Sequence, residues 1–140
     1  MTDAAMIAPV FVHVVLVVAL VIATGRGRVA AVKAGEVTLK DIALDSSRWP
    51  ERLRKLSNNY QNQFELPVLF YAGVALLIAT GLADGISLVF AWGFVASRLV
   101  HSFIHVGTNN VVHRLYAFGA GLAALVALWL WFGLRLYVIG

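Results

Sequence analysis

The sequence predicts an all-α integral membrane protein built as a four-transmembrane-helix bundle. Only 13% of its 140 residues are charged, whereas 61% are hydrophobic, and the mean hydropathy is +0.84. Three runs carry no charge and have about the length that crosses a hydrocarbon core, namely 6–24, 66–83 and 115–134. A fourth largely apolar run, 85–106, contains a single arginine, Arg98. Together the four runs predict four membrane spans.

The first predicted helix covers residues 5–24 and ends before a Gly-Arg-Gly-Arg sequence. The stretch 26–48 that follows mixes charges of both signs and is predicted to be a loop with some helical content. Eight of the eleven basic residues lie within 26–55. By the positive-inside rule this loop faces the cytoplasm, and both termini lie on the non-cytoplasmic side. The basic excess is therefore a topology signal, and no nucleic-acid partner is expected.

The second helix is predicted over 50–82, because a proline suits its first turn and the polar residues before it can cap it. Its length of about 50 Å exceeds the hydrocarbon core, so its polar first half lies at the interface or is buried by protein. Pro67 lacks a backbone N–H and frees the carbonyl of Gln63, so a bend is expected there. The third and fourth helices are predicted over 86–106 and 111–137.

All four helices are assigned to a single multi-pass membrane domain, residues 1–140. The N-terminus lacks the basic region of a secretory signal, so the first span is predicted to be retained. A bacterial inner membrane fits a short chain of this kind.

Polar side chains form a stripe on the second and on the third predicted helix. At about 100° per residue, Asn58, Asn62 and Glu65 share one face of the second helix. One face of the third helix carries a second polar set: Arg98, His101, Ser102, His105 and Asn109. Ionisable side chains at membrane depth usually mark a functional site. A structural Glu65–Arg98 ion pair, with asparagines bridging the helices, explains the pattern equally well.

The histidines allow, but do not by themselves predict, a metal site. His101 and His105 are four residues apart, a spacing that can chelate a metal with Glu65 as third ligand. No cysteine and no second carboxylate accompany them, so no metal is predicted. The lack of cysteine also excludes disulfides and a cysteine nucleophile. His13, alone in the first span, is expected to hydrogen-bond between helices rather than to bind haem.

Two segments carry a likeness to a known family. The sequences NNYQNQFELP and SRLVHSFIHVGTNNVVHR resemble the MAPEG family, the membrane-associated proteins of eicosanoid and glutathione metabolism. In its prostaglandin synthase branch an arginine is followed by histidine three residues on, tyrosine four further and arginine nine further. Arg98, His101, His105 and Arg114 have this spacing without a gap. The likeness covers most of the chain.

What this resemblance implies is a homotrimer in the lipid bilayer, with sites between neighbouring subunits near the cytoplasmic side. The implied co-substrate is glutathione, with its thiol held as thiolate by Arg114. Asn62 and Glu65 would hydrogen-bond the peptide, and Glu65 would receive its free amine. Arg98 and His101 would contact a carboxylate or brace Glu65. A lipophilic small molecule delivered from the bilayer would be conjugated or reduced.

Two of the implied glutathione-binding positions depart from the family pattern. Asn58 stands where catalytic members usually have arginine, and His105 stands where they have tyrosine. Since glutathione carries two carboxylates, the loss of a cationic donor weakens its binding, although a protonated histidine would compensate. A non-catalytic scaffold or lipid-binding trimer is therefore the alternative from another class, ahead of a small channel or transporter.

Overall fold

A computed structural model describes residues 2–139, and all regular structure in that range is helical. We number the α-helices in chain order: α1 Asp3–Lys33, α2 Leu39–Ile42, α3 Glu51–Gln61, α4 Leu66–Ala79, α5 Gly85–Val106 and α6 Val111–Leu134. Two 3-10 turns and one π-helical segment complete the order: Ser46–Arg48, Asn62–Phe64 and Arg135–Ile139.

Four helices are long and apolar enough to cross a membrane, which confirms the predicted four-helix class. They are α1, α3 continuing into α4, α5, and α6 with its π-helical extension. The first packs against α3, α4 and α5, and the most extensive contact is the α5–α6 hairpin. Gly121 of α6 permits this close approach, because a β-carbon there would collide with the Ser97 hydroxyl.

The interior of the bundle is packed with apolar side chains. Phe70 of α4 stacks on Phe94 of α5 with ring centroids 4.7 Å apart, and Leu77 and Leu128 are buried in the same cluster. Lipid tails are as apolar as these side chains, so close van der Waals packing rather than water exclusion holds such helices together.

The bundle has two ends, which we name after what they carry. The loop end carries the connection 34–50 and the turn 107–110, whereas the terminal end carries both chain termini and the turn 80–84. Four crossings of the bundle place the two termini at the same end. The cytoplasmic orientation of the loop end and the homotrimer stay predictions.

The first helix is longer than the predicted 5–24, because it continues through the Gly-Arg-Gly-Arg sequence to Lys33. Each glycine costs about 1 kcal/mol in a helix interior, but this part of α1 packs on α3. Gly27 lies against Leu53, whose side chain occupies the place a β-carbon would need. Leu53 also forms a small buried cluster with Ala31 and Val37. The predicted end of the first helix at residue 24 was therefore wrong, and the first third of the stretch 26–48 belongs to α1.

The end of α1 has a local cause that the sequence contains. Gly35 adopts a left-handed conformation with φ of 72°, which glycine reaches without strain. Its N–H donates to the carbonyl of Val32, and the N–H of Glu36 donates to the carbonyl of Ala31. This pair of bonds is the Schellman arrangement that terminates helices.

The predicted second helix, 50–82, is not continuous. It breaks at 62–65, where a 3-10 turn is followed by Glu65 with ψ of −94°, and α4 ends at Ala79. The reason is Pro67, which has no N–H for the carbonyl one turn earlier but suits the first turn of a new helix. The third and fourth helices lie within three residues of their predicted bounds at 86–106 and 111–137.

A compact polar cluster closes the terminal end. The Asp84 carboxylate accepts hydrogen bonds from the Ser87 N–H at 2.8 Å, from Trp131 Nε1 at 3.0 Å and from Arg135 at 2.8 Å. Partial burial raises the pKa of Asp84, but the bonds from Ser87 and Trp131 outweigh it, so the pKa lies below its ordinary value. Asp84 thereby caps α5 and ties it to the end of α6.

Candidate functional site

A polar cavity of about 680 Å³ opens at the loop end, within the size range of small-molecule sites. Its walls come from the end of α1, the connection before α3, the outer face of α3, the helix break, and the facing ends of α5 and α6. The lining residues are Arg28, Ser46, Ser47, Trp49, Glu51, Arg54, Lys55, Ser57, Asn58, Gln61, Asn62, Glu65, His105, Asn109 and Arg114.

Five of the seven site residues singled out from the sequence line this cavity. Asn58, Asn62 and Glu65 come from α3 and the break, His105 from α5 and Arg114 from α6. The 3.6-residue period of α3 places the first two on one face, and the turn 107–110 brings Arg114 back beside His105. The remaining two, Arg98 and His101, lie outside the polar cavity.

The cations of the cavity differ in how they are held. Arg28 donates to the Ser57 hydroxyl at 3.0 Å, and its guanidinium carbon lies 5.1 Å from the Trp49 ring centroid, in cation–π range. Lys55 pairs with Glu51 at 2.8 Å. These contacts fix the walls, and sequence reasoning missed Arg28 because it placed that residue in a loop.

Four charged groups of the cavity form no ion pair within residues 2–139: Arg28, Arg54, Glu65 and Arg114. Arg54, one turn before Asn58, forms no ion pair within 4.0 Å, and neither does the carboxylate of Glu65. Arg114 donates to the Asn109 side chain at 2.7 Å and to no carboxylate in this range. The cavity thus presents uncompensated cations around one uncompensated carboxylate, a charge pattern that fits a ligand bearing carboxylates and an amine.

A second, smaller cavity of about 200 Å³ adjoins the first. Its lining is more apolar and consists of Asn62, His101, Val111, Arg114, Leu115 and Phe118. Asn62 and Arg114 line both cavities. They therefore separate a polar space from one with aliphatic and aromatic walls.

The Glu65–Arg98 ion pair that the sequence allowed is not formed in the described part of the chain. Arg98 is 1% exposed and donates to the Asn62 carbonyl at 3.0 Å and, through two nitrogens, to Gln63 Oε1 at 3.3 Å. Its partners are neutral oxygens at the helix break. Arg98 therefore braces the backbone under the cavity rather than the Glu65 carboxylate.

A buried hydrogen-bond network, which sequence reasoning missed, lies behind the cavity. Asn59 donates to the hydroxyl of Ser102 at 2.6 Å, and Gln63 donates to Asn59 at 3.1 Å. His13 bonds to Gln63 Oε1 at 3.2 Å and to the Tyr71 hydroxyl at 2.6 Å. His13 thus bridges helices, as expected. Asn59 and Gln63 are four residues apart, a spacing that could have indicated a second, inward polar face of α3.

The two histidines of α5 pack together without forming a metal cluster. Their rings, those of His101 and His105, meet edge to face with centroids 5.7 Å apart. Among residues 2–139 there is no group of three histidine or carboxylate side chains that could hold a metal ion.

Comparison with known proteins identifies one family. The MAPEG family model matches residues 6–134, a range that contains both cavities and all but the outer ends of the first and fourth spans. No curated protein and no solved structure matches the chain. The match covers nearly the whole chain and agrees with four helices that can cross a membrane. The protein therefore belongs to the MAPEG family, the membrane-associated proteins of eicosanoid and glutathione metabolism, and is a multi-pass integral membrane protein.

Proposed function

We propose that the polar cavity binds glutathione, or a similar small thiol with carboxylates, and delivers its thiolate to a lipophilic electrophile. The observation that carries this proposal is the charge pattern of the cavity. Arg54 and Arg114 have no carboxylate partner within residues 2–139, and Glu65 has no cation partner there. Glutathione offers two carboxylates to the arginines and one ammonium to Glu65.

Arg114 is the proposed catalytic residue. A guanidinium beside a thiol favours the charged form of that thiol, which is the nucleophile. Since Arg114 lines both cavities, a thiolate held by it would face the apolar space. Asn62, on the same wall, supplies an amide that can hydrogen-bond the peptide.

The electrophile would enter from the bilayer side. Val111, Leu115 and Phe118 give the smaller cavity its apolar surface, and Leu115 is 65% exposed on the surface of this subunit. In a conjugation, the thiolate forms a bond from sulfur to the electrophilic carbon, and the leaving group or opened ring takes up the electron pair. In the reduction of a hydroperoxide, two glutathione molecules are oxidised to one disulfide, while the O–O bond breaks and its oxygens leave as an alcohol and a water molecule.

The proposal includes the assembly and orientation implied by the family. We propose a homotrimer, because family members are oligomeric and much of the apolar surface of α1 and α6 lacks a partner in one subunit. Phe11, Val15 and Leu130 are each more than 60% exposed. The loop end would face the cytoplasm of a bacterial inner membrane, since the basic residues concentrate there.

A non-catalytic scaffold or lipid-binding trimer is the competing function, and one observation favours it. Asn58 lines the cavity as a neutral amide, where the family resemblance implies an arginine. One cationic donor for a ligand carboxylate is thus missing. Arg54 lies one turn away on nearly the same face and offers a replacement.

Calorimetric titration of detergent-purified protein with millimolar glutathione separates the two functions. We expect binding by the parent, at least tenfold weaker binding in Arg114→Ala and Glu65→Ala, and parental binding in Arg26→Ala. The last variant is a matched control, because Arg26 lies at the same end but outside the polar cavity. No binding by the parent would reject glutathione as ligand. Binding that survives both cavity substitutions unchanged would reject the residue assignment.

A further inference from the structure

We infer that Arg98 and Gln63 are positioning residues: together they hold the helix break at 62–65 in the shape that turns Asn62 and Glu65 into the polar cavity. This inference rests on the proposed function for its ligand. It assigns Arg98 a role through the backbone, without contact to glutathione. Both side chains form hydrogen bonds at the break.

The break leaves backbone acceptors that need partners. In a continuous α-helix the carbonyl of Gln63 would accept from residue 67, but Pro67 has no N–H. The neighbouring carbonyl, that of Asn62, lies at the start of the break and receives the Arg98 guanidinium at 3.0 Å. A buried carbonyl without any donor would be costly. Arg98 therefore stabilises the broken conformation inside the bundle.

The guanidinium is itself fixed from the other side. Nε and one terminal nitrogen of Arg98 both lie 3.3 Å from Gln63 Oε1. The Gln63 amide nitrogen donates to the backbone carbonyl and the side chain of Asn59, both at 3.1 Å. Since Asn59 bonds to Ser102 of α5 and Gln63 bonds to His13 of α1, the break is connected to two neighbouring helices.

The side chains that would touch the ligand begin at this break. Asn62 is its first residue, and Glu65 is its last, with φ of −88° and ψ of −94°. A helix turns about 100° per residue, so a break that relaxed by even one residue would point Glu65 away from the cavity. A ligand amine needs the carboxylate at hydrogen-bond distance, and a displacement of about 1 Å is enough to weaken such a contact severely.

A buried arginine of this kind needs more than a packing role. Within residues 2–139 no carboxylate lies within 4.0 Å of Arg98, although its side chain is almost fully buried. A leucine or methionine would fill the same volume without the desolvation of a charge. Only a guanidinium reaches the backbone carbonyl and the glutamine oxygen at once, because its donors form a planar fork.

Two measurements on the full chain test the inference, one without ligand and one with glutathione. Hydrogen exchange of the 62–66 backbone amides in ligand-free protein is expected to accelerate about tenfold or more in Arg98→Gln and in Gln63→Leu, as a charged hydrogen bond is lost. Arg98→Lys keeps the charge but loses the fork, so it should give an intermediate rate. Arg135→Gln, the same substitution at the terminal end, is the matched control and should leave this segment unchanged.

Glutathione binding then separates positioning from direct contact. As a single substitution, Arg98→Lys should weaken glutathione binding about tenfold. In a protein that already carries Glu65→Gln, it should weaken binding much less, because both substitutions act through the Glu65 carboxylate. Independent, multiplicative losses would mean that Arg98 touches the ligand and would overturn the inference. Parental exchange and binding in Arg98→Gln would overturn it as well.

The exchange measurement keeps the two proposals distinguishable. If the parent binds no glutathione, the proposed ligand fails, while the exchange of 62–66 still decides whether Arg98 and Gln63 hold the break. If Arg98→Gln does not fold, Arg98→Lys and Gln63→Met carry the test. Gln63→Met removes both the acceptor for Arg98 and the donor to Asn59, so faster exchange is expected there, and parental exchange in both variants would reject the inference.

Discussion

The two ends of the bundle both carry polar clusters, but they differ in how completely those clusters are paired. At the terminal end, the Asp84 carboxylate has partners in Ser87, Trp131 and Arg135. At the loop end, Glu65 has no cation and Arg54 no carboxylate within 4.0 Å in residues 2–139. A satisfied cluster braces the fold, whereas charges held apart around a cavity are available to a ligand. Pairing distinguishes the two roles better than polarity does.

Two adjacent asparagines show the same contrast within one helix. Asn58 is exposed to the cavity, while Asn59 is fully buried and bonded to Ser102 and Gln63. The two residues are identical in chemistry and one position apart, yet α3 turns one outward and the other inward. They therefore form a matched pair for testing which polar groups stabilise the bundle.

The largest expected effect on stability is in this pair. Asn59→Ala should lower the free energy of unfolding by about 2 kcal/mol, because two buried partners lose their hydrogen bonds. Asn58→Ala should change it by less than about 0.5 kcal/mol. Reversible unfolding in mixed detergent micelles measures both. Equal losses in the two variants would contradict the division of α3 into an inner and an outer face.

A smaller loss is expected at the terminal end. Asp84→Ala removes the cap of α5 and the acceptor for Trp131 and Arg135, so it should cost about 1.5 kcal/mol of stability. Glutathione binding should stay parental, because the cluster lies at the opposite end from the cavity. A variant that loses binding without losing stability would show that the two ends are coupled.

Asp84 should also make the stability of the bundle depend on pH. The pKa of Asp84 is lower in the fold than in the unfolded chain, so its contribution is fully present above the ordinary carboxyl pKa of about 3.9. That contribution is lost as the pH falls through the folded pKa. Thermal unfolding from pH 6 down to pH 3 should show a steeper decline in the parent than in Asp84→Asn. Identical slopes would mean that the carboxylate is not stabilised by its partners.

The smallest expected effect is at Arg54, a cavity arginine that forms no ion pair within residues 2–139. Arg54→Gln should leave thermal stability unchanged and weaken glutathione binding about twofold to fivefold, the scale of an exposed charge pair. Added salt should weaken parental binding more than binding by this variant. A stability change in Arg54→Gln would indicate that Arg54 stabilises the loop end and is not simply available to bind a ligand.

The sequence was sufficient to predict the four-helix bundle but not the end of each helix. Long uncharged runs require membrane spans because of their length alone, and four spans are what the structure contains. The continuation of α1 to Lys33 was missed, because the glycines at 25 and 27 suggest a helix end. Gly27 packs against Leu53, which is distant in sequence. Contacts of that kind cannot be read from local pattern.

The candidate site was predictable where one helix face carries it. Asn58 and Asn62 follow the helical period, and the cavity wall contains both. An ion pair between Arg98 and Glu65 was one of two alternatives that the sequence left open, whereas the partners of Arg98 are an amide oxygen and a backbone carbonyl. The bend at Pro67 was expected, but no sequence rule tells which side chain satisfies the carbonyls at a break.

The most direct test of the central claim is the ultraviolet difference spectrum of glutathione bound at neutral pH. We expect thiolate absorption from glutathione bound to the parent and to Arg135→Gln. In Arg114→Ala we expect no thiolate absorption, at ligand concentrations that still saturate the site. Stability of that variant should remain parental, since Arg114 has only Asn109 as a partner in the described chain. Bound glutathione that stays a thiol in the parent, or a thiolate that persists in Arg114→Ala, would contradict the account.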